Sequence, residues 1–140
     1  MSLSQKRADL VDAFQSLPDG EERLSYLLSM GRKAPLLPDA EKSDDLLLSG
    51  CMSRLWVLPE FRDGKCWFRT DSDAQIVKGI AAMVCNFYSG ETPADIVATE
   101  LDFLAEAGVP QLLTPNRRSG LSSLRGRIKA FAVECAAKTG

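Results

Sequence analysis

Four cysteines, at positions 51, 66, 85 and 135, are the residues of this chain best suited to chemistry, and there is no histidine beside them. Without an imidazole the chain can form no Ser-His-Asp or Cys-His hydrolase, no His-ligated zinc and no imidazole acid–base catalyst. No two cysteines form a Cys-x-x-Cys pair, which argues against a structural zinc site and a thioredoxin-type dithiol. In a reducing cytosol all four would be free thiols. Cys51 differs from the rest in its setting. Gly50 precedes it and permits a bend that a residue with a Cβ would resist. After it the side chains alternate, with Ser53, Leu55 and Val57 on one face and Met52, Arg54, Trp56 and Leu58 on the other. That is the pattern of a half-buried strand. A thiol where a turn meets a strand can be held firmly and still be reached by a partner. The same residue also reads as a small core hydrophobe, a common use of free cysteine.

The elements that must position this thiol follow from periodicity and punctuation. Leu10, Val11, Phe14 and Leu17 recur at helical spacing and predict a helix from about Ser4 to Ser16, broken by Pro18-Asp19-Gly20. A second helix carries Leu24, Leu27 and Leu28, with Gly31 as its expected C-terminal stop and Arg32 and Lys33 as end-of-helix cations. A proline-punctuated loop through Pro35 and Pro38 leads to the strand region, with a short strand expected at Leu46 to Leu48. Pro59 to Gly64 reads as a hairpin connection ending in Asp-Gly, with a return strand from Lys65 to Thr70 that makes Cys66 a buried strand residue. Asp71-Ser72-Asp73 reads as the N-cap cluster of the next helix. That helix carries Ile76, Val77, Ile80, Val84, Phe87 and Tyr88 on a wide apolar face, so it should be the central one, with Cys85 in or near the core. Thr92-Pro93-Ala94-Asp95 opens a short helix to about Ala98, and another runs from Asp102 to Ala107. The last helix, to about Lys138, lines up Leu121, Leu124, Ile128, Phe131 and Cys135. Arg117 and Arg118 sit at its start, the wrong end electrostatically for cations, where arginines more often contact an anion or a partner.

Length and composition bound the answer. The 140 residues fit a single domain, 1–140, with a real core, and 45% hydrophobic with 26% charged residues is an ordinary globular balance. A net charge of -2 with scattered basic residues disfavours nucleic acid. No signal peptide is visible at the N-terminus, and the longest apolar run, Gly79 to Gly90, is too short to span a bilayer. A cytoplasmic protein is the expectation.

With these residues in view, the chain resembles the SufE family of sulfur-acceptor proteins, which includes CsdE. Five blocks match in order: Gly31-Arg32 through Pro38; Gly50-Cys51-Met52-Ser53-Arg54-Leu55-Trp56; Asp71 to Gly79; Tyr88 to Ile96; and Thr114-Pro115-Asn116-Arg117-Arg118-Ser119-Gly120-Leu121. Leu112, Ser119 and Leu55 depart from the residues common in the family at those places. The resemblance implies an α/β (α+β two-layer) domain, a small antiparallel sheet packed against helices and similar to the iron-sulfur scaffold (IscU-like) fold. It implies that Cys51 accepts persulfide sulfur from a pyridoxal-phosphate-dependent cysteine desulfurase and passes it to an iron-sulfur scaffold or another acceptor. The cofactor would belong to the partner, and this chain would need none. Asp73, Arg117 and Arg54 are the expected partner contacts. Met52, Leu55 and Trp56 are candidates to shelter a persulfide. Two rivals stay open at this point: a metal-binding cluster scaffold, and a desulfurase-binding activator that carries no sulfur.

Overall fold

Alternation after position 54 produces a two-stranded antiparallel ribbon, β1 (Leu55–Arg62) and β2 (Lys65–Ser72), in a computed structural model that describes residues 2–48, 54–99 and 103–139. The register runs from Leu55 opposite Ser72 to Arg62 opposite Lys65. The loop is Asp63-Gly64 alone, with φ of 56° and 77°. Two successive positive φ values match the twist of the flanking strands, which is why Asp-Gly suits this place. The strand is therefore longer than Pro59 to Gly64 suggested as a connection, because Pro59 pairs with Phe68 inside it. Proline is tolerated there for a geometric reason. Leu55 turns its backbone outward, accepting a 2.9 Å hydrogen bond from the Leu48 N–H, and Pro59 lies four residues on with the same orientation. Its missing N–H is thus not needed by the ladder.

Each free edge of the ribbon is partly covered. Leu47 makes a single bridge to Trp56 beside β1, in place of the short strand expected at Leu46 to Leu48, because Leu46 closes a 3-10 turn. On the far side Cys66 exchanges backbone hydrogen bonds with Gly90 and Glu91.

The helices are α1 (Leu3–Gln15), α2 (Gly20–Lys33), α3 (Gln75–Tyr88), α4 (Pro93–Ala98), α5 (Phe103–Glu106) and α6 (Pro115–Thr139), with single 3-10 turns in the connections. Among the described residues, four of their starts carry side-chain caps, that of α6 being the Thr114 hydroxyl, which accepts from the Arg117 N–H. Ser2, Asp19 and Thr92 accept from the backbone N–H of Gln5, Glu22 and Asp95, and Pro93 follows its cap as the first helical residue. Such caps contribute about 1 kcal/mol each. Helix α3 is the centre of the molecule. Every residue from Ile76 to Cys85 is buried, between the ribbon and α2, with α1 and α6 also against it. Phe14 of α1 meets Tyr26 edge-on, and Phe131 of α6 meets Phe68 of β2 in the same way. The architecture is α+β, a small antiparallel sheet packed against helices.

Two local expectations are corrected. Gly31 does not stop α2, which continues to Lys33. It lies where α2 crosses α3, and a Cβ there would come within 2.9 Å of the Gly79 nitrogen. The N-cap reading of Asp71-Ser72-Asp73 also fails. β2 runs on through Ser72, α3 begins only at Gln75, and its cap position, Ala74, makes no side-chain cap bond. The triplet's acceptors are met in part locally, by the Ser72 and Ala74 N–H groups, and in part by Leu37, Lys42, Lys78 and Arg54.

Candidate functional site

Cys51, with Gly50, Met52 and Ser53, lies outside the described residues. Its flanks are well defined. On the N-terminal side, Leu48 is tied to Leu55 and Leu47 to Trp56. On the other side, the Arg54 N–H donates to Asp73 Oδ1 at 3.0 Å. The Arg54 carbonyl accepts from the Ser72 hydroxyl at 2.6 Å and from the Asp73 N–H at 3.3 Å. The structure thus brings together two of the sequence-derived site residues, the Arg54 backbone meeting both the carboxylate and the N–H of Asp73. Both side chains are exposed.

Arg117 is exposed in the first turn of α6, whose start is held by the Thr114 hydroxyl accepting from the Arg117 N–H. It lines a cavity of about 220 Å³ whose walls include Leu55, Val77, Ile80, Leu121 and Leu124. The cavity therefore joins the first residue of β1 to the start of α6, with largely apolar walls and Thr114, Asn116 and Arg117 as its polar lining. Of the side chains expected to form a shelter, Leu55 lines this cavity. Trp56 does not face it, since alternation turns it to the opposite side of the ribbon, where the Lys42 ammonium lies 5.1 Å from its ring centroid.

The other cysteines are sealed in the core. Cys66, Cys85 and Cys135 are 0%, 1% and 5% exposed, as their positions on apolar faces implied. Burial pushes the Cys85 thiol up to about 12, with a hydrogen bond to Thr70 opposing it only slightly. Burial and the neighbouring Cys135 thiol push Cys66 up to about 12 as well. Roughly one molecule in 10⁵ would carry a thiolate at either position at neutral pH.

One constellation was not anticipated from the sequence. Asp71 is 1% exposed, and its carboxylate gathers four donors, one from the next residue and three from other elements of the chain. The N–H groups of Leu37 and Ser72 donate to it at 3.1 and 2.8 Å, and the Lys42 and Lys78 ammoniums lie 3.3 and 3.5 Å away. Burial alone would push this carboxyl up. The two amides and two ammoniums more than offset that and hold it below the usual carboxylate range. The available signal was Lys78, a charge between Val77 and Gly79 at the edge of the most apolar stretch and on the wide apolar helix, which requires a buried partner. Among the described residues, no group of three or more His, Cys, Asp or Glu side chains could hold a metal ion, and no helix is long and apolar enough to cross a membrane.

Comparison with known proteins agrees with this architecture. The SufE family model, described as an Fe-S metabolism associated domain, matches residues 8–132. An uncharacterized SufE-like protein of Synechocystis sp. (strain ATCC 27184 / PCC 6803 / Kazusa) is 32% identical over 132 residues, covering 94% of this chain and 83% of that protein. An uncharacterized SufE-like protein of Rhizobium meliloti (strain 1021) is 30% identical over 128 residues, covering 88% of this chain and 91% of its own length. The solution structure of a hypothetical protein from Thermus thermophilus superposes with a TM-score of 0.77 at 24% identity, over 94% of this chain and 96% of that one, and shares the fold. The chain belongs to the SufE family, whose domain is associated with Fe-S metabolism.

Proposed function

We propose that this protein accepts sulfur from a cysteine desulfurase onto Cys51 and delivers it for iron-sulfur cluster assembly or a related sulfur transfer. The observation that carries the reading, given the family, is the state of the other three thiols. Cys66, Cys85 and Cys135 are buried, and two of them are pushed up to about 12, so they are poor nucleophiles. Cys51 is the remaining thiol, in the block that matches the family's Gly-Cys segment.

The step itself is thiol–persulfide exchange. The Cys51 thiolate attacks the terminal sulfur of the partner's cysteine persulfide, the partner's S–S bond breaks, and the partner's cysteine leaves as a thiolate. Cys51 becomes the persulfide, with no net oxidation or reduction and no imidazole needed. Chain connectivity supports a protected product. The last described residue before Cys51, Leu48, is bonded to Leu55, which lines the apolar cavity. A persulfide held against such walls would meet bulk reductant less often. Asp73, Arg54 and Arg117 are the proposed partner contacts, exposed around this region. The protein would act as a carrier working with a pyridoxal-phosphate-dependent partner in the cytoplasm.

The test is to incubate the protein with a desulfurase and cysteine and map the adduct by mass spectrometry. One extra sulfur atom is expected on Cys51 and none on the other three. Cys51→Ser should abolish the adduct and most activation of the desulfurase. Sulfur mapped to Cys66, Cys85 or Cys135 would sink the reading. Full activation by Cys51→Ser would favour an activator that carries no sulfur.

A further inference from the structure

The buried carboxylate of Asp71 sits at the stem of the segment that bears Cys51, and we propose that Asp71, Lys42 and Lys78 form an ionic clamp that positions this stem for sulfur loading. The inference rests on the sulfur-acceptor reading for its functional consequence, but its structural half stands apart from it.

A buried ion pair is weak evidence of stabilisation, because well-packed apolar side chains of the same volume serve as well or better. What the charges supply here is connection. Asp71 belongs to β2, Lys78 to α3, and Leu37 and Lys42 to the connection after α2, so one carboxylate joins three parts of the fold. Lys42 carries the link onward. Its ammonium is shared among Asp71, the exposed Asp39 carboxylate at 3.7 Å and the face of the Trp56 ring, and Trp56 is the residue opposite Asp71 in the ribbon. Trp56 in turn bridges to Leu47, and the next residue, Leu48, donates its N–H to Leu55. From the carboxylate to the last described residue before Cys51 there is an unbroken series of contacts. A second tie between the same connection and the same strand, Glu41 to Arg69, is more exposed and touches neither Asp71 nor Trp56. It provides an internal control.

Amide hydrogen exchange followed by NMR reads the stem directly. In Lys42→Met, which keeps the aliphatic stem at a side chain already 24% exposed, the Leu48 amide should exchange at least fivefold faster. The Cys66 and Gly90 amides, bonded at the opposite edge, should stay within twofold of the parent. Lys42→Arg, which keeps a cation for both Asp71 and Trp56, should restore Leu48, and Glu41→Gln should leave it unchanged. At saturating desulfurase, the rate at which Cys51 gains sulfur should fall at least fivefold in Lys42→Met and recover in Lys42→Arg. The clamp is refuted if Leu48 accelerates less than fivefold, or if all three amides accelerate together, as simple loss of stability would require. It is equally refuted if the stem loosens while sulfur loading stays at the parental rate. If the parent itself takes up no sulfur on Cys51, the acceptor reading fails, and the exchange data, which need no desulfurase, still judge the clamp.

Discussion

Cys85 shows what burial does to a single thiol and makes it measurable. Its pKa is pushed up to about 12 in the fold, against an ordinary 9.0, chiefly because the thiolate would be desolvated. The folded value lies above the unfolded one, so the associated stability is fully present below about pH 9 and is lost as pH rises toward 12. In that window one such thiol removes about 1.4 kcal/mol per pH unit. Cys85→Ala should be less stable than the parent at pH 7 by roughly 1–2 kcal/mol, the effect of a small cavity. Denaturant unfolding at pH 9.5 to 11 should then show that gap closing by on the order of 1 kcal/mol per pH unit. A gap that stays constant would mean that the thiol ionises as easily in the fold as in the open chain. The same logic separates Cys51 from its siblings, since chemistry at a thiol needs the anion.

At the scale of elements, α2 and α3 cross closely at Gly31 and Gly79. A Cβ added to Gly79 would lie 2.0 Å from the Leu27 carbonyl oxygen, a backbone atom that cannot rotate aside. Gly79→Ala should therefore destabilise the protein by on the order of 3 kcal/mol or more, despite alanine's better helix propensity. Thermal or urea unfolding checks this, and a neutral or stabilising result would show that the helices can separate without loss. The crossing also marks the limit of what the sequence could disclose. Helical periodicity made α1, α3 and α6 legible to within a residue or two and α2 apart from its C-terminal end, and Thr92-Pro93 announced α4, because those signals are local. Gly31 has two legitimate local uses, and only the position of α3 decides that it serves contact rather than termination. Asp71-Ser72-Asp73 looked like a cap for the same reason. Besides local bonds from Ser72 and Ala74, its acceptors meet Leu37, Lys42 and Arg54, partners that lie well outside any local window along the chain. At the site, the burial of Cys66, Cys85 and Cys135 followed from their stripes. The linkage of Asp73 to Arg54 through the backbone did not, since it depends on the register of β1 against β2.

Across the whole molecule, the proposed partner contacts come from distant parts of the chain that the fold draws toward the start of the ribbon. Arg54 and Asp73 are joined at the mouth of β1, while Arg117 stands on the cavity that Leu55 also lines. A cation in the first turn of a helix opposes the dipole, so Arg117 contributes little to the stability of α6 and is free to serve recognition. Its neighbour is different. The Arg118 side chain donates through Nε to the Pro110 carbonyl at 3.0 Å, tying the turn before α6 to the helix, so Arg118 is a poor control for a surface effect. Arg125, exposed further along the same helix, is the better one. Arg117→Ala should change stability by less than about 1 kcal/mol, as surface substitutions generally do. It should lower both desulfurase activation and the apparent affinity for the desulfurase at least threefold, while Arg125→Ala leaves both within error. Titrating each variant against a fixed amount of desulfurase, with sulfide release as the readout and thermal unfolding run alongside, separates recognition from folding. If Arg117→Ala activates as the parent does, the rim of the cavity is not a docking surface. The same measurement would then return Arg117 to the role of a solvated helix-end cation.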